Sequence, residues 1–380
     1  MKVLHVINTL SAGGAELHLL TLCRHLKVQG VEVVVACLKE SVESSRPLRQ
    51  DFEGDGVRVV NLEGDRRFSL RCLTRLIRLL KDEKPDVLHT HLPRADFAGA
   101  IGHFFFPSAP WICSIHDVYS KSWSGKYFLP LFNLLWLRAN IIIAISQGVK
   151  DWLVQTGRIP LEKVKVVHYG IESERFGTPN CDLRKEWGLN GKAIIGSIGR
   201  LERRKGHETL IRAMPIILKQ VPNACLLIAG HDPWGYRKTL KRAIDELELN
   251  EQAQYVGFQT DIPSFLHSLD VFAFASSSEG FGQVVIEAMA AAKPVVASKI
   301  PPFTEIITNG ETGILVELGN ADAFARAITC LIKNPEEAGR LAFQARERVR
   351  NDFSGKTMAD NILSLYGELV GDHYGRTPLA

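Results

Sequence analysis

Two glutamates lie eight positions apart, at 279 and 287, and a Gly-Phe-Gly tripeptide lies between them. An apolar run at residues 271–275 precedes this segment and an alanine-rich run follows it, so the pattern predicts a strand, a loop and a helix. Glu279 would then lie in the loop and Glu287 one turn into the helix. The glycines would leave backbone N–H groups at the helix start free to contact an anion. The segment therefore favours a ligand with hydroxyl groups and negative charge, although each glutamate alone is more often an ordinary surface residue.

A second candidate site lies in a basic loop that follows the apolar run at residues 193–198. Arg200 offers a planar pair of donors and Lys205 a mobile point charge, a combination that suits a diphosphate gaining charge as it leaves. A basic loop is usually only solvated. Ligands of α/β proteins bind at the carboxyl ends of the strands, however, and this loop is predicted to lie at such an end.

In the first half of the chain, Gly13 and Gly14 remove side chains from a loop that precedes a helix, so backbone N–H groups can approach an anion there. The loop is not a GxGxxG motif, and no acidic residue is placed to hold a ribose. Both facts argue against a dinucleotide-dependent dehydrogenase. A tight turn without a ligand is the alternative interpretation.

Histidines end two other apolar runs of the first half. His116 ends the run at residues 111–116, and His89 and His91 end the run at residues 87–91. A histidine alone is more often structural than catalytic, but the position of His116 at a strand end favours a role in the site. The chain has no Asp-x-Asp and no metal-ligand spacing, so no metal site is predicted. The charge of a diphosphate would then be met by cations and helix N-termini.

Short runs rich in Val, Ile and Leu alternate with amphipathic helical stretches along the 380 residues. Runs without a polar face are typical of parallel strands that are buried on both sides. The pattern restarts after a Gly- and Pro-containing segment at residues 169–191, which we interpret as a linker. The predicted fold class is α/β, with two doubly wound Rossmann-like domains that face each other across a cleft. The domains are residues 1–172, with a C-terminal helix at 354–380 that crosses back to them, and residues 173–353.

The composition is that of a globular protein, with 46% hydrophobic and 23% charged residues, and its net charge of +4 gives no reason to expect a nucleic-acid partner. Seven scattered cysteines without a CxxC motif favour a reducing compartment over disulfides or a zinc site. The N-terminus does not resemble a signal peptide. The most apolar stretch, residues 128–145, contains proline, arginine and asparagine, so it is a poor candidate for a membrane-spanning helix.

Arg71, Arg75 and Arg78 share one helix face. This face is either solvated or a surface for anionic lipid or an anionic acceptor.

Taken in order, these motifs resemble those of the group 1, or family 4, retaining glycosyltransferases of GT-B fold. The resemblance extends over essentially the whole chain, and the order and spacing of the motifs are more specific than any one of them. The matching segments are Gly13-Gly14-Ala15-Glu16, Ser114-Ile-His116-Asp117, Ala144-Ile-Ser146, residues 169–176, Gly199-Arg200 with Lys205-Gly206, Glu279-Gly-Phe-Gly with Glu287, and Thr312-Gly313-Ile-Leu-Val316.

The resemblance implies transfer of a sugar from a UDP- or GDP-linked donor, with retention of the anomeric configuration and without a metal or other cofactor. In such enzymes the usual proposal is a front-face displacement, in which the leaving phosphate takes the acceptor's proton. The implied roles are diphosphate binding for Arg200, Lys205, Gly13 and Gly14, donor-sugar binding for Glu279, Gly280, Phe281 and Gly282, ribose binding for Glu287, base binding for Phe258 and Ile262, and catalysis at the reacting centre for His116 and Glu279.

The acceptor that the resemblance implies is a glycan or a lipid-linked molecule, in the synthesis of a surface polysaccharide or glycolipid. Aromatic and basic residues at 104–106 and 119–128 suit contact with a membrane that carries such an acceptor, unless the aromatics belong to the core. The expected location is the cytoplasm, free or at the inner face of the cytoplasmic membrane. Two segments depart from the family pattern, residues 231–236 and 300–303, and they leave the donor sugar open.

Two other functions remain compatible with this sequence. A nucleotide-sugar 2-epimerase shares the fold but lacks the arrangement of Glu279 and Glu287. A non-catalytic nucleotide-sugar-binding protein is expected to lack one of the predicted site residues, which this chain retains. Fold alone does not separate these functions.

Overall fold

The computed structural model of the chain describes residues 1–39, 47–64, 69–119 and 125–371, and for residues 125–129 it describes the backbone alone. The chain divides into two compact units, Met1–Ile171 with Gly355–Ala380, and Glu172–Ser354. The sequence places these boundaries after residues 172 and 353. Most of the segment interpreted as a linker belongs to the second unit, where it forms short helical turns.

The first unit alternates strands and helices along the chain. Its elements are β1 (Lys2–Ile7), α1 (Gly14–Val28), β2 (Glu32–Cys37), α2 (Arg49–Gly54), β3 (Arg58–Asn61), α3 (Leu70–Glu83), β4 (Val87–His91), α4 (Pro93–Phe105), β5 (Trp111–Ile115), α5 (Gly125–Trp136), β6 (Ile141–Ala144), α6 (Gln147–Gln155) and β7 (Val164–Val166). The described strands form a parallel sheet in the order β3-β2-β1-β4-β5-β6-β7. The order reverses between β1 and β4, and ligands of doubly wound sheets bind at such a point.

The second unit repeats this pattern. Its elements are α7 (Leu183–Glu186), β8 (Ala193–Ile198), α8 (His207–Leu218), β9 (Ala224–Ala229), α9 (Arg237–Glu246), β10 (Ala253–Tyr255), α10 (Ile262–His267), β11 (Val271–Phe274), α11 (Gln283–Ala290), β12 (Val295–Ser298), α12 (Phe303–Ile306), β13 (Ile314–Val316), α13 (Ala321–Lys333) and α14 (Pro335–Asp352). The strands form a parallel sheet in the order β10-β9-β8-β11-β12-β13. The last helix, α15 (Gly355–Val370), belongs to the first unit.

The central strands of both sheets are buried almost throughout, although β4 carries the polar residues His89, Thr90 and His91. Every residue of β8 and β9 is buried. In the first unit, Met358, Ile362 and Tyr366 of α15 join the core beneath α1. The predicted fold class, with two parallel α/β sheets and a C-terminal helix that returns to the first one, is confirmed. Every helix in the described part of the chain is too short or too polar to span a lipid bilayer.

A buried carboxyl group links several elements of the first unit. Asp96 of α4 is fully buried and accepts hydrogen bonds from the Thr90 hydroxyl at 2.6 Å and from the Trp136 indole N–H at 3.0 Å. The Trp111 indole donates to the same hydroxyl at 3.0 Å. Burial raises the pKa of Asp96 to about 7, and the two donors oppose that rise only partly.

Asp96→Asn should change how the stability of the first unit depends on pH. The folded pKa of about 7 exceeds the unfolded value, so the contribution of Asp96 to stability is present at low pH and is lost as the pH rises through 7. Relative to the variant, the wild-type free energy of unfolding should fall by about 1 kcal/mol between pH 6 and pH 8. Denaturant unfolding followed by tryptophan fluorescence measures this difference. A gap between the two proteins that stays constant over this range would contradict the raised pKa.

Candidate active site

The second unit brings Lys205 and Glu279 together at the carboxyl ends of two adjacent strands. Lys205 follows β8 and Glu279 follows β11, and these strands pair in the middle of the sheet. The Lys205 ammonium lies 2.6 Å from Glu279 Oε1, and the two side chains are only 11% and 8% exposed. Burial penalises an isolated charge, so both groups depend on each other and on further hydrogen bonds to stay ionised.

Ser276 and Phe274 complete the surroundings of this ion pair. The Ser276 hydroxyl donates to Glu279 Oε1 at 2.7 Å. The Lys205 ammonium lies 5.5 Å from the centroid of the Phe274 ring, within the range of cation–π attraction. Glu279 Oε2 has no hydrogen-bond partner among the residues that the structure describes. The carboxylate is therefore fixed through one oxygen and can accept hydrogen bonds through the other.

The two loops that carry this pair are fastened to each other. The backbone N–H of Ser277 donates to the carbonyl of Arg204 at 2.7 Å, and the Arg204 guanidinium donates to the carbonyl of Ser278 at 3.1 Å. Gly206 has φ +70°, and a Cβ there would lie 1.9 Å from the carbonyl oxygen of Ala275. Glycine is therefore required at 206, both by the backbone conformation and by the closeness of the second loop.

Arg200 has a more open setting than Lys205. Its side chain is 49% exposed and lies 3.4 Å from Glu202. Its guanidinium lies 5.6 Å from the centroid of the Trp234 ring, which is itself largely exposed. Trp234 belongs to the segment 231–236 that departs from the family pattern, so this departure supplies an aromatic ring beside a predicted diphosphate ligand.

The start of α11 is shaped by close packing around glycine. Gly282 precedes the helix at φ +91°, and a Cβ there would lie 2.3 Å from the ring of Phe303. Phe303 ends the second departing segment, which therefore packs directly against the predicted sugar-binding loop. Gly280 and Phe281 are buried, and the Phe281 ring lies 5.9 Å from that of Phe353. No described side chain caps α11, and a helix start without a cap leaves N–H groups available to an anion.

Glu287 lies one turn into α11 and is almost completely buried. It accepts a hydrogen bond from the Gln283 side-chain amide at 2.9 Å. Burial raises the pKa of Glu287, while this hydrogen bond and the charge of Arg175 oppose the rise. Gln283 Oε1 is buried without a hydrogen-bond partner in the described part of the chain. The two side chains thus have hydrogen-bonding capacity left for a polar ligand group.

The two residues predicted to bind a base follow β10. Phe258 is 43% exposed, and its ring lies edge-on to that of His231 with 6.5 Å between the centroids. Ile262 is the half-buried first residue of α10, where the Asp261 side chain caps the helix by accepting from the Ser264 N–H at 3.2 Å. Phe258 therefore presents an open ring, whereas Ile262 contributes to the helix start.

In the first unit, Gly13 and Gly14 form the start of α1. Gly13 is extended, with φ −143° and ψ 172°, and no described side chain caps the helix there. A Cβ on Gly13 would lie 2.6 Å from Glu16 Oε2, so the glutamate folds back over this loop. Burial raises the pKa of Glu16 to about 7. At neutral pH this carboxyl is partly protonated, and it repels an anion at the helix start less than an ordinary glutamate would.

His116 lies one residue beyond β5 and is nearly buried. Its Nδ1 lies 2.5 Å from the Tyr169 hydroxyl, and its Nε2 lies 3.2 Å from Nδ1 of His91. Burial lowers the pKa of His116 to about 3, so the ring is neutral at pH 7. Both ring nitrogens already have hydrogen-bond partners inside the first unit.

A buried cluster of three histidines on this sheet escapes prediction from the sequence. His5 of β1 pairs in register with His89 of β4, and His91 lies two residues further along on the same face. One nitrogen of each ring lies within 4.8 Å of the others, an arrangement that could hold a metal ion. The H-x-H pattern of β4 is the available signal. His5 joins it only through the pairing of strands that are far apart in sequence.

Ser276 and Arg204 also escape prediction, although both hold the Lys205–Glu279 pair in place. A serine three residues before a glutamate is common in loops, and Arg204 is one of three consecutive basic residues. Their roles depend on the contact between two strand-end loops, which no local pattern in the sequence specifies. The structure therefore joins Lys205 and Glu279 directly, and places Gly13, Gly14 and His116 in the other unit.

Two family models match the chain. The model for glycosyl transferases group 1 matches residues 181–348, and the model for glycosyltransferase family 4 matches residues 12–175. The chain is 29% identical over 321 residues to the capsular polysaccharide biosynthesis glycosyltransferase CapM of Staphylococcus aureus. The aligned region covers 81% of this chain and 83% of CapM. It is also 26% identical over 372 residues to the lipopolysaccharide core biosynthesis glycosyltransferase LpsE of Rhizobium meliloti, and this match covers 96% of this chain and 98% of LpsE.

Among solved structures, the chain is similar to HepE of Anabaena in complex with UDP-glucose. The TM-score is 0.85 at 24% identity, and the match covers 97% of this chain and 100% of HepE. This likeness shows that the two chains share a fold.

Gly206→Ala should destabilise the second unit far more than Gly235→Ala. Both glycines have positive φ, at +70° and +72°, but a Cβ at 235 meets nothing within 4 Å, whereas one at 206 meets the Ala275 carbonyl. We expect Gly235→Ala to cost about 1 kcal/mol, the penalty of the left-handed conformation alone, and Gly206→Ala at least about 3 kcal/mol. Denaturant unfolding of both variants tests this. Equal costs would mean that the two strand-end loops do not approach each other as described.

Proposed function

Because the chain belongs to the group 1, or family 4, glycosyltransferases, we propose that it transfers a sugar from a nucleotide-diphosphate sugar to a glycan or lipid-linked acceptor. The observation that carries this proposal is the buried Lys205–Glu279 pair, which sets a cation and an oriented carboxylate just before α11. The Lys205 ammonium can bind a diphosphate, and the Glu279 carboxylate can accept hydrogen bonds from the hydroxyls of a sugar. The names of CapM and LpsE assign those proteins to polysaccharide and lipopolysaccharide synthesis, and they support a similar pathway here.

A uridine diphosphate sugar is the donor that we favour. HepE, which shares the fold, has been solved with UDP, with UDP and glucose, and with UDP-glucose. A guanosine diphosphate sugar is the alternative. The open ring of Phe258 would accept either base by stacking, so the choice between them lies in contacts that a bound nucleotide would reveal.

Lys205 would stabilise the diphosphate as it leaves. An ammonium group has three N–H donors, and Glu279 takes one of them. Arg200 adds a second cation with a planar pair of donors. The start of α11 adds the positive end of a helix dipole. Such fixed charges and dipoles are often the largest contribution to catalysis, because they need no rearrangement as charge develops.

Glu279 would bind the donor sugar through Oε2 while Lys205 and Ser276 hold Oε1. Glu287 would accept hydrogen bonds from the ribose, as the family resemblance implies. His116 stays a predicted catalytic residue of the first unit, and its pKa of about 3 makes its neutral ring a weak base at pH 7. Glu279 is not assigned as a nucleophile, because its carboxylate is already neutralised by an ammonium group.

We therefore favour retention by front-face displacement. The bond between the anomeric carbon and the diphosphate oxygen breaks, and its electron pair goes to the diphosphate. The acceptor hydroxyl forms the new bond on the same face of the sugar, and the departing phosphate oxygen takes the hydroxyl proton. This scheme needs a stabilised leaving group and no protein base.

Lys205→Ala and Glu279→Ala should each lower kcat/KM for the donor by about 10²-fold or more, because each removes a charge that faces the reacting groups. Lys299→Ala is the matched control, since Lys299 forms an exposed ion pair with Glu317 at 3.8 Å. Its activity should stay within about twofold of wild type. Circular dichroism verifies that each variant is folded. Full transfer activity in either folded site variant would refute the assignment of the donor site.

Transfer should continue in excess EDTA, because cationic side chains rather than a metal are assigned to the diphosphate. The product should keep the anomeric configuration of the donor. Activity with and without EDTA, and proton NMR of the first-formed product, check these two expectations. A strict requirement for Mg²⁺ or Mn²⁺ would contradict the first, and an inverted product would contradict the second.

We also propose that the first unit touches a membrane surface that carries the acceptor. Phe104 and Phe105 at the end of α4 are 67% and 57% exposed, and α4 packs against α5, where Leu131 and Leu134 are also exposed. Exposed apolar side chains on two contacting helices suit the interfacial region of a bilayer. The arginine face of α3 contributes less, because Glu63 pairs with two of its arginines. The aromatic segment at 119–128 lies largely outside the described residues.

The full-length protein should float with lipid vesicles, and a Phe104→Ser, Phe105→Ser double variant should float less. Partial burial of two phenylalanine side chains in the interface should contribute at least about 1.4 kcal/mol, so at least about tenfold weaker partitioning is expected. Vesicles with and without anionic lipid show whether charge adds to the contact. Equal flotation of the two proteins would place the membrane contact elsewhere or exclude it.

A further inference from the structure

Four rings form one hydrogen-bonded chain in the interior of the first unit. Tyr169 Oη lies 2.5 Å from Nδ1 of His116, and His116 Nε2 lies 3.2 Å from Nδ1 of His91. The other nitrogen of His91, Nε2, lies 3.0 Å from Nδ1 of His5. His5 and His91 have no exposed surface, so neither can touch a substrate. The chain thus connects a predicted catalytic residue to two histidines in the core.

Strand register explains this order. His91 pairs with Ser114 across β4 and β5, and His116 lies two residues beyond Ser114, on the same face. On the other side, His5 of β1 lies two residues before Ile7, the partner of His91. The three rings therefore follow one diagonal across three neighbouring strands.

Every member of this chain is neutral at pH 7. Burial lowers the pKa of His5 and of His116 to about 3 and holds that of His91 well below its ordinary value. Burial also raises the pKa of Tyr169, and the nearby carboxylates of Glu16 and Asp117 add to the rise. Each neutral imidazole has one N–H donor and one lone pair.

Only two arrangements of protons satisfy all three hydrogen bonds of the chain. Either His5, His91 and His116 all carry their proton on Nδ1, or all three carry it on Nε2. A mixed set would put two N–H groups or two lone pairs against each other. The Nδ1 set leaves a lone pair on His5 Nε2, which has no partner among the described residues, and makes the Tyr169 oxygen an acceptor, whereas the Nε2 set leaves a buried N–H on His5 and lets the Tyr169 O–H donate to His116 Nδ1. In both sets the three histidines share one tautomer, and both nitrogens of His116 are engaged in hydrogen bonds.

We propose that His5 and His91 are positioning residues that hold His116, through this chain, in the tautomer that all three share, so that His116 has no nitrogen free to accept a proton. The catalytic consequence rests on the proposed role of His116, whereas the proton order rests on the hydrogen bonds alone. The proposal agrees with a transfer in which the leaving phosphate, and not a histidine, takes the acceptor's proton.

A metal ion on His5, His89 and His91 is the competing interpretation of this cluster. Both nitrogens of His91 belong to the chain, and His89 is held by the Tyr366 hydroxyl at 2.6 Å and the Ser114 hydroxyl at 2.8 Å. An ion would have to break several of these bonds. No carboxylate takes part in the hydrogen bonds that these histidines make within the described part of the chain, so the positive charge would remain uncompensated.

NMR of the full chain, with its histidines labelled with ¹⁵N, tests the proton order directly. Two-bond proton–nitrogen correlations distinguish Nδ1–H rings, Nε2–H rings and imidazolium. We expect His5, His91 and His116 to show one shared tautomer, either all Nδ1–H or all Nε2–H, from pH 6 to pH 8. Unlike tautomers within the three, or an imidazolium among them, would overturn the chain. So would stoichiometric Zn²⁺ binding that shifts the His5 and His91 nitrogens.

Variants of His91 test the catalytic consequence. His91→Leu removes both hydrogen bonds of His91. We expect kcat to fall about tenfold with little change in the donor KM, because a tenfold fall corresponds to the loss of one hydrogen bond that stabilises the transition state. His91→Gln carries a donor and an acceptor on one side chain and should recover most of the loss. His89→Leu is the control, because it removes a buried and hydrogen-bonded histidine of the same strand that is not in the chain.

The outcomes separate this proposal from the proposed function. If kcat falls equally in His89→Leu, or if His91→Gln recovers nothing, the effect is structural and the positioning role is wrong. If the wild-type tautomers are ordered as expected but kcat is unchanged in His91→Leu, the positioning role is also wrong, while the glycosyltransferase assignment stands. Thermal unfolding of each variant identifies any that fails to fold.

Discussion

The buried ion pair between Lys205 and Glu279 is the interaction on which the proposed donor site depends. Charges with so little solvent contact are costly, and the structure offsets the cost with a direct 2.6 Å contact, a serine hydroxyl and an aromatic ring. The pair can form only because glycine at 206 lets the two strand-end loops approach each other. The same contact that orders the loops leaves one carboxylate oxygen and two ammonium N–H groups for a ligand. The organisation of the site and its chemistry therefore have one physical origin.

Two clusters of buried polar groups, one in each unit, are stabilised in opposite ways. In the second unit an ammonium and a carboxylate neutralise each other, so both remain charged when buried. In the first unit the imidazoles of His5, His91 and His116 lie among one another without a carboxylate in their chain, so burial keeps them neutral. Charged groups thus lie where a diphosphate is proposed to bind. Neutral hydrogen-bonded groups lie where the positions of the histidine protons are proposed to matter.

The fold could be predicted from the sequence because its signals are repeated and local. Apolar runs mark β8, β9 and β11, and the strand-end positions of Lys205 and Glu279 follow from them. What could not be predicted are the contacts between loops and between strands. That Lys205 touches Glu279, that Ser276 holds the same oxygen, and that His5 joins His91 all depend on the order of strands in the sheet, which the local pattern does not contain. The roles of Phe258, Ile262 and Glu287 stay predictions from the family resemblance.

The central claim, that Lys205 and Glu279 form a nucleotide-sugar site, is tested most directly by calorimetric titration of the wild-type protein with UDP, using GDP and uridine for comparison. We predict that a nucleoside diphosphate binds and raises the unfolding temperature, and that uridine binds much less tightly. Lys205→Ala should lose this difference between the two ligands, while Lys299→Ala should retain it. Binding of UDP that is as tight in Lys205→Ala as in wild type, or no binding of either diphosphate, would contradict the central claim.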